Sequence, residues 1–559
     1  MGRFPEGGFS HPFVDMNTVD HRTMFKPRCL DEQTIERISA AIRAKPDWQK
    51  KSEEESIVSR WREELRAQAP VMPPPLVGED EHDEVPRIKE SLIEYALEEL
   101  EYFKRLEEQF GEEMFVTGVN EHIFIGHNPV DESVKTTLQE LAVRHLEDSG
   151  EKDWHPGTNE QVLDLVHPSL YPIQYKLTPV LPQDYENKIG LECGFDRLKD
   201  CSPLPTYIYP SKHNVEQYGI SMKFQWLPAI FAVDANGRVD IKSYINNLHP
   251  ERHKELYDPI ARVFERAIPG INGALSVYAN PQRVRIPPLD EYQFYAYPKE
   301  FDDVIEEVGE EVFDELEEQG VDMFRLRGTP IVREPKWGGV PDIEPVDVRD
   351  SRLKVIVKLA NIQLTPENPD YPGGTWHVEG TINEDIVATV LYYYDSINIT
   401  DSRLAFRISQ EQPIYEQYDH YGVHKVFGLK DEQRLSYNIG SVPCKEDSIV
   451  VFPNCFQHQV QPFSLQDKTK PGHRKILCFF ICDPTDKKVV ATDRVPAQQS
   501  EWWEDYSDNP LPGFLDKADW PKDFEHAKQI REELMKERSI QQSDEPDHPF
   551  LAGFSLCEH

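Results

Sequence analysis

The C-terminal half of the chain alternates between short apolar runs and polar turns. The runs are rich in β-branched and aromatic residues, and Pro, Gly, Asn and Asp separate them. This spacing is typical of a β-sandwich or barrel, and a jelly roll has eight strands. We predict eight strands here, over residues 354–364, 375–379, 386–394, 403–408, 436–442, 448–452, 457–462 and 475–482.

Apolar residues in the first half of the chain recur mostly at helical spacing. Over residues 83–106, one apolar stripe includes Ile88, Leu92 and Tyr95, and the remaining positions are mainly charged. Such a stripe predicts an amphipathic helix. Similar patterns predict helices over residues 34–44, 133–146, 250–267 and 301–319.

These patterns together predict an α+β protein. An Asn-Gly turn at 236–237 predicts a hairpin between residues 224–233 and 239–245. We divide the chain into a mainly helical region (1–200), a supporting hairpin with flanking helices (201–350), a jelly-roll core (351–486) and a C-terminal helical extension (487–559).

Composition and charge exclude several classes of protein. Hydrophobic residues make up 38% of the 559 residues, which indicates a folded chain. The formal net charge of -39 repels polyphosphate and anionic lipid, so we predict neither nucleic acid nor membrane as a partner. The eight cysteines form no Cys-x-x-Cys pair, and the first residues lack a signal-peptide pattern, so we expect a cytoplasmic protein without a disulfide framework. The sequence predicts no oligomeric state.

A His-x-Glu motif is the first candidate for chemistry. His377 and Glu379 lie two positions apart in an extended segment and therefore point to the same face. A second histidine, His458, lies on a later predicted strand that a closed roll can return to the same place. Two imidazoles and one carboxylate form the metal site of non-haem Fe(II) oxygenases, although a zinc hydrolase can use the same ligands.

Arg474 directly precedes the last predicted strand and, by the same alternation, points into the predicted roll. A guanidinium group in an apolar interior requires an anion, and its planar fork matches a carboxylate. The distal carboxylate of 2-oxoglutarate would be such an anion. An ion pair with an acidic side chain at the rim of the roll is the alternative.

Five longer strings carry a resemblance to a known superfamily: KFQWLP, IKSYINNLHPE, LKVIVKLANIQLTPENPDYPGGTWHVEG, FPNCFQHQV and KPGHRKIL. They resemble the Fe(II)/2-oxoglutarate-dependent oxygenases, and more closely an uncharacterised fungal family with this core. The resemblance implies a double-stranded β-helix in which His377, Glu379 and His458 hold Fe(II) and are catalytic. It also implies that Arg474 binds 2-oxoglutarate and that O2 is the second co-substrate.

The chain departs from the superfamily pattern at two positions. Ile476 stands where many members have Ser, so we predict that a tyrosine, Tyr392, Tyr393 or Tyr394, supplies the second hydrogen bond to 2-oxoglutarate. Glu379 stands where Asp is commoner. Because halogenating relatives lack this carboxylate, its presence favours hydroxylation, desaturation or cyclisation.

Candidate substrate-binding residues lie upstream of the core. Trp226, Tyr244, Asn246 and Asn247 combine aromatic rings with amides, which suits a small polar molecule. The alternative is that these residues cap and pack the end of a strand.

We therefore predict an oxygenase that oxidises a small molecule and releases succinate and CO2. Two alternatives remain: a hydroxylase or demethylase of protein side chains with the same chemistry, and a non-catalytic jelly-roll binding module.

Overall fold

The computed structural model describes residues 4–9, 11, 26–73, 86–148, 152–185, 188–206, 219–280, 283–504, 513, 515 and 520–541. Helices and antiparallel strands both build it, so the fold class is α+β, as predicted. Within the described part of the chain, none of the helices has the length and apolar character that a membrane span requires.

The helices lie mainly before the long strands. They are α1 (Leu30–Arg43), α2 (Trp48–Lys51), α3 (Glu55–Arg66), α4 (Glu90–Glu98), α5 (Leu100–Phe110), α6 (Glu132–Ala142), α7 (Lys254–Ala279), α8 (Phe301–Val308), α9 (Glu310–Glu318), α10 (His420–Phe427) and α11 (Phe524–Gln541). The predicted helix over residues 83–106 starts outside the described residues and corresponds to α4 and α5.

The strands before residue 351 are short, and all the long strands follow it. They are β1 (Phe115–Thr117), β2 (Phe124–His127), β3 (Val162–Val166), β4 (Ile173–Gln174), β5 (Pro179–Val180), β6 (Ser202–Pro203), β7 (Phe224–Gln225), β8 (Ala229–Val233), β9 (Val239–Ile241), β10 (Ser351–Leu364), β11 (Asp370–Tyr371), β12 (Ile386–Ile397), β13 (Arg403–Ser409), β14 (Ser436–Pro443), β15 (Ser448–Pro453), β16 (Gln457–Val460), β17 (Phe463–Ser464) and β18 (Gly472–Cys482).

Seven of the eight predicted core strands form close to their predicted bounds, as β10, β12, β13, β14, β15, β16 and β18. The prediction for residues 375–379 was wrong, because this segment makes only one bridge, between His377 and His458. Gly373 and Gly380 flank the segment at φ values of +96° and +68°. These left-handed turns leave room for only a short extended piece between them.

Two antiparallel layers contain the core strands. In the larger layer the order is β1-β2-β15-β12-β18-β10-β8-β9, with β3 also paired to β10. The second layer contains β14-β13-β16 and the separate pair β11-β17. The ring of Phe452 on β15 contacts Phe406 on β13 at 5.0 Å, so these faces of the two layers pack together. We call this side of the larger sheet the inner face.

Strand register determines which side chains share the inner face. Thr389 on β12 is opposite both Phe452 on β15 and Phe480 on β18. On β10, Lys358 is opposite Cys478, and Ile362 is opposite Arg474. Because directly opposed residues point to the same side and side chains alternate along a strand, Lys358 and Arg474 both belong to the inner face.

Helix α7 covers the outer face of the same sheet. The ring of Phe264 lies 5.1 Å from the rings of both Phe231 and Phe479. The helix approaches the sheet closely, since a Cβ added to Gly270 would lie 2.6 Å from the ring of Phe115. This packing extends α7 beyond the predicted helix over residues 250–267.

The predicted helix over residues 301–319 is two helices. Gly309 has a φ of +85° and separates α8 from α9. Val304 on α8 is 2% exposed, whereas Val312 on α9 is 46% exposed, so the second half does not bury the predicted apolar stripe. Strands β1, β2 and β3 from the first 200 residues join the main sheet. The division of the chain into four regions stays a prediction.

Candidate metal centre

His377 and His458 meet through the main chain. The backbone N of His377 donates to the carbonyl of His458 at 3.2 Å, and the reverse bond is 2.9 Å long. The two imidazole centroids are 4.3 Å apart. Glu379 lies two residues beyond His377, so the predicted group of three side chains converges.

The donor atoms have the separations of metal ligands. Nε2 of His377 and Nε2 of His458 lie 3.6 Å and 3.4 Å from Oε1 of Glu379. Ligand atoms bound to one metal ion at about 2.1 Å, at angles of roughly 90–110°, lie about 3.0–3.4 Å apart. These three atoms can therefore surround one ion with little movement.

Hydrogen bonds orient the candidate ligands. Nδ1 of His377 is 2.8 Å from the carbonyl of Thr375, so Nδ1 is the protonated nitrogen and Nε2 keeps its lone pair. Asn454 accepts from the backbone N of Glu379 at 2.9 Å and donates to its carbonyl at 2.8 Å. The segment that carries Glu379 is thus held at both of its backbone polar groups.

Burial differs among the three side chains. The side chain of His458 is 4% exposed, that of Glu379 is 12% exposed and that of His377 is 28% exposed. Although burial opposes it, the adjacent imidazoles of His377 and His458 hold the pKa of Glu379 well below its usual range. The carboxylate is therefore anionic at neutral pH, and one side of the group remains open to a ligand.

A second group, His155, Asp164 and His167, has comparable proximity but different chemistry. Nδ1 of His155 is 2.8 Å from Oδ2 of Asp164, which is a hydrogen bond. Nδ1 of His167 accepts from the backbone N of Ser169, and burial lowers the pKa of His167 to about 3. The proton of this neutral ring is therefore on Nε2, the atom that faces Asp164. We interpret this group as a hydrogen-bonded network.

Arg474 is 1% exposed and lies between two aromatic rings. Its guanidinium carbon is 5.3 Å from the ring centroids of both Tyr393 and Phe463. Nη1 donates to Oγ of Ser402 at 2.5 Å, whereas Nε has no hydrogen-bond partner in the described residues. No described carboxylate forms an ion pair with this buried cation. The Nε–H group of this buried cation is therefore an unused donor within the described residues.

Two of the predicted co-substrate tyrosines do not lie beside Arg474. The hydroxyl of Tyr392 donates to Asp447 at 3.0 Å, and that of Tyr394 is 3.4 Å from Oδ1 of Asn361. Both side chains leave β12 on the outer face, because alternate residues of a strand point to opposite sides. Of the three tyrosines, the structure brings only Tyr393 to Arg474.

Tyr371 and Phe463 are functional candidates that the sequence analysis missed. They pair across β11 and β17, and their rings are 5.2 Å apart. Burial raises the pKa of Tyr371, while the positive charges of Arg474 and Lys358 oppose that rise. The phenol therefore lies within the field of both cations. The sequence offered one signal for Tyr371, which is its position six residues before His377. Its strand has only two residues, too few to show an alternating pattern of apolar and polar positions.

The predicted substrate-binding residues use their polar atoms within the protein. Nε1 of Trp226 donates to a serine hydroxyl at 3.1 Å, and the hydroxyl of Tyr244 donates to a backbone carbonyl at 2.6 Å. The amides of Asn246 and Asn247 donate to the carbonyl of Leu170 at 3.1 Å and 3.0 Å. These contacts support the alternative that the four residues join and pack neighbouring segments.

Several solved structures share limited similarity with this chain. The Fe(II)/α-ketoglutarate-dependent dioxygenase TqaL is 12% identical, with a TM-score of 0.22 over 66% of this chain and 95% of its own. IDO from Bacillus thuringiensis is 14% identical, with a TM-score of 0.15 over 24% of this chain and 47% of its own. EvdO2 from Micromonospora carbonacea var. aurantiaca, complexed with 2-oxoglutarate, is 12% identical, with a TM-score of 0.13 over 24% of this chain and 55% of its own. The chain thus spans about half the length of the last two structures. At these TM-scores the likeness carries no functional argument.

The sequence also matches two family models. The first is described as Protein of unknown function (DUF4246) and covers residues 90–506, and the second is the N-terminal domain of DUF4246 and covers residues 3–64. No curated protein matches the sequence. Because the first model covers well over half of the chain, this protein belongs to the family Protein of unknown function (DUF4246).

Proposed function

We propose that this protein is an Fe(II)/2-oxoglutarate-dependent oxygenase that oxidises a small molecule. One relationship carries the proposal: an open group of two histidines and one glutamate accompanies Arg474, a buried guanidinium that lacks an acidic partner among the described residues. A zinc hydrolase requires the three metal ligands but not the buried guanidinium. An oxygenase that binds 2-oxoglutarate requires both.

The strand order supports a double-stranded β-helix as the core. Strands β15, β12, β18 and β10 are neighbours in one layer, while β14, β13, β16 and the pair β11-β17 form the other. Strands that are consecutive in sequence thus mostly belong to different layers, although β13 and β14 pair directly. This alternation between layers is expected when a chain winds into two facing sheets.

The donor set suits Fe(II). Two neutral imidazole nitrogens and one carboxylate oxygen form the facial triad of non-haem iron oxygenases. Bound iron would supply dioxygen activation coupled to the decarboxylation of 2-oxoglutarate to succinate and CO2. His377 and His458 present Nε2, and Asn454 holds the backbone on both sides of the Glu379 side chain.

The protein's remaining task is to orient the co-substrate and exclude water. The guanidinium of Arg474 can donate from Nε to the distal carboxylate while Nη1 stays on Ser402. The hydroxyl of Tyr371 is our candidate for the second donor, in place of Tyr392 and Tyr394. The rings of Tyr393 and Phe463 keep the charged pair away from water, which strengthens its hydrogen bonds.

An anaerobic titration tests this function. Addition of Fe(II) and 2-oxoglutarate to the full chain is expected to produce a visible charge-transfer band, and air is expected to release succinate. His377→Ala should abolish both signals. His420→Ala, which removes an exposed histidine at the start of α10, is the matched control and should retain them. Absence of the band in the wild-type protein, or undiminished succinate release by His377→Ala, would contradict the proposal.

A further inference from the structure

Lys358 is a second cation on the inner face of the core. It lies opposite Cys478 on β18, on the same side of the sheet as Arg474. Its side chain is partly buried, and its ammonium group makes no hydrogen bond or ion pair with any residue that the structure describes. The proposed function assigns no role to this lysine.

The surroundings of Lys358 locate its charge beside the candidate metal centre. Burial disfavours the charged form, yet Asp164 and Glu379 hold the pKa of Lys358 above its usual value. The same positive charge acts on His377 and on the phenol of Tyr371. The strand register agrees for Asp164, which is opposite Ala360, two residues from Lys358 on the same face of β10.

Both neighbouring acids are engaged elsewhere. Asp164 accepts a hydrogen bond from His155 at 2.8 Å and lies 3.5 Å from Nη1 of Arg531. The carboxylate of Glu379 faces the two imidazoles of the metal centre. Neither acid approaches Lys358 within ion-pair distance, so three N–H donors of a partly buried ammonium group remain without a described acceptor.

A ligand is the natural acceptor for such a group. Hydrogen bonds between ionised partners are stronger than neutral ones, so a carboxylate oxygen is a favourable acceptor for this partly buried ammonium group. We propose that Lys358 binds a ligand carboxylate beside the metal centre, and that the protein's primary substrate is a small carboxylic acid. This inference rests on the proposed function, in which Arg474 and the metal already take the two carboxylates of 2-oxoglutarate. The other source of the same chemistry is the carboxylate next to the keto group of 2-oxoglutarate.

The chain offers a matched control on the same strand. Lys354 is four residues from Lys358 and points to the same face of β10. Its Nζ donates to the carbonyl of Asp486 at 3.0 Å, so this lysine is satisfied within the protein. Lys358→Met and Lys354→Met therefore each remove one ammonium group from the same sheet, and Lys358→Arg retains the charge if Lys358→Met folds poorly.

The test measures ligand preference and co-substrate binding separately. Matched pairs of small carboxylic acids and their primary amides are screened for stimulation of succinate release. The wild-type protein, Lys354→Met and Lys358→Arg should prefer acids, and Lys358→Met should lose about tenfold to hundredfold of that preference. The dissociation constant of 2-oxoglutarate, measured anaerobically from the charge-transfer band, should change less than about twofold in Lys358→Met.

Each outcome decides between the possibilities. A rise of about tenfold or more in the 2-oxoglutarate dissociation constant would support carboxylate binding by Lys358 but assign it to the co-substrate. An unchanged dissociation constant together with an unchanged acid preference in Lys358→Met would overturn the inference and leave the proposed function intact. Failure of the wild-type protein to bind Fe(II) and 2-oxoglutarate would overturn both.

Discussion

The main chains of His377 and His458 are joined by two hydrogen bonds, of 3.2 Å and 2.9 Å, which set their imidazole rings 4.3 Å apart. Because this pairing is made by backbone atoms, the two rings are neighbours before any ion binds. The candidate centre is therefore preorganised, which reduces the entropy lost when a ligand orders it.

Divalent metal should stabilise the folded protein through this preorganised site. A ligand at about 100 times its dissociation constant adds about 2.7 kcal/mol to the free energy of unfolding. Differential scanning calorimetry with Mn(II), which avoids oxidation, should show a higher melting temperature for the wild-type protein and no rise for His458→Ala. A chelator should reverse the rise. An equal rise in His458→Ala would place the bound metal elsewhere.

Asn454→Ala should weaken metal binding although this residue is not a candidate ligand. The substitution removes both hydrogen bonds between Asn454 and the backbone of Glu379. Loss of such a supporting contact lowers metal affinity by about 10-fold to 100-fold. Equilibrium titration with Mn(II) measures the effect. The control is Asn368→Ala, which removes an exposed hydrogen bond from a side-chain amide to the carbonyl of Asn159. Equal affinities for the two variants would argue against a supporting role.

Arg474→Lys should weaken 2-oxoglutarate binding without weakening metal binding. Lysine keeps the positive charge but loses the planar fork that binds a carboxylate through two parallel hydrogen bonds. We expect the dissociation constant of 2-oxoglutarate to rise about tenfold or more. Arg403→Lys removes an exposed guanidinium that binds Ser441 and should leave the constant unchanged. A normal constant in Arg474→Lys would move the co-substrate away from this residue.

Stability should fall as the solution is acidified below neutral pH, partly through His122. This ring is buried against Phe456, and burial lowers the pKa of His122 to about 4. In the unfolded chain its pKa is about 6.5, so the unfolded state binds the proton first. The contribution of His122 is therefore present above pH 6.5 and is lost as the pH falls towards 4. By pH 5 the loss is about 2 kcal/mol.

Urea unfolding at pH 7.5 and pH 5 measures this dependence. His122→Gln keeps a polar side chain but cannot titrate, so its stability should fall less between the two pH values than that of the wild-type protein. The readout is the change in unfolding free energy between the two pH values, because this change does not depend on how much the substitution itself destabilises the fold. Equal changes in the two proteins would mean that His122 is not responsible.

Much of the core could be predicted because its signals are local. Alternating apolar runs predicted seven strands close to their observed bounds. The predictions failed where neighbouring segments override the local pattern. The stripe of α8 and α9 is interrupted at Gly309, and residues 375–379 are limited to one bridge by the turns around them.

The residues of the candidate site were likewise predictable only where their signals are local. The spacing of His377 and Glu379 predicts a shared face because both belong to one extended segment. The assignment of Tyr392 and Tyr394 failed because which face of β12 is the inner one depends on its pairing with β15 and β18. Lys358 had no local signal, and Tyr371 had only its position six residues before His377, since a lone lysine and a two-residue strand resemble many others.

The sequence alone determined the positions of the core strands and the identity of the candidate metal ligands, since both depend on residues close together or on recognisable strings. Only the tertiary structure decided that His458 lies opposite His377 and that Lys358 faces the same interior as Arg474. These relationships come from strand pairings between residues far apart along the chain. A shift of register by one residue would turn each of these side chains to the other face of its sheet.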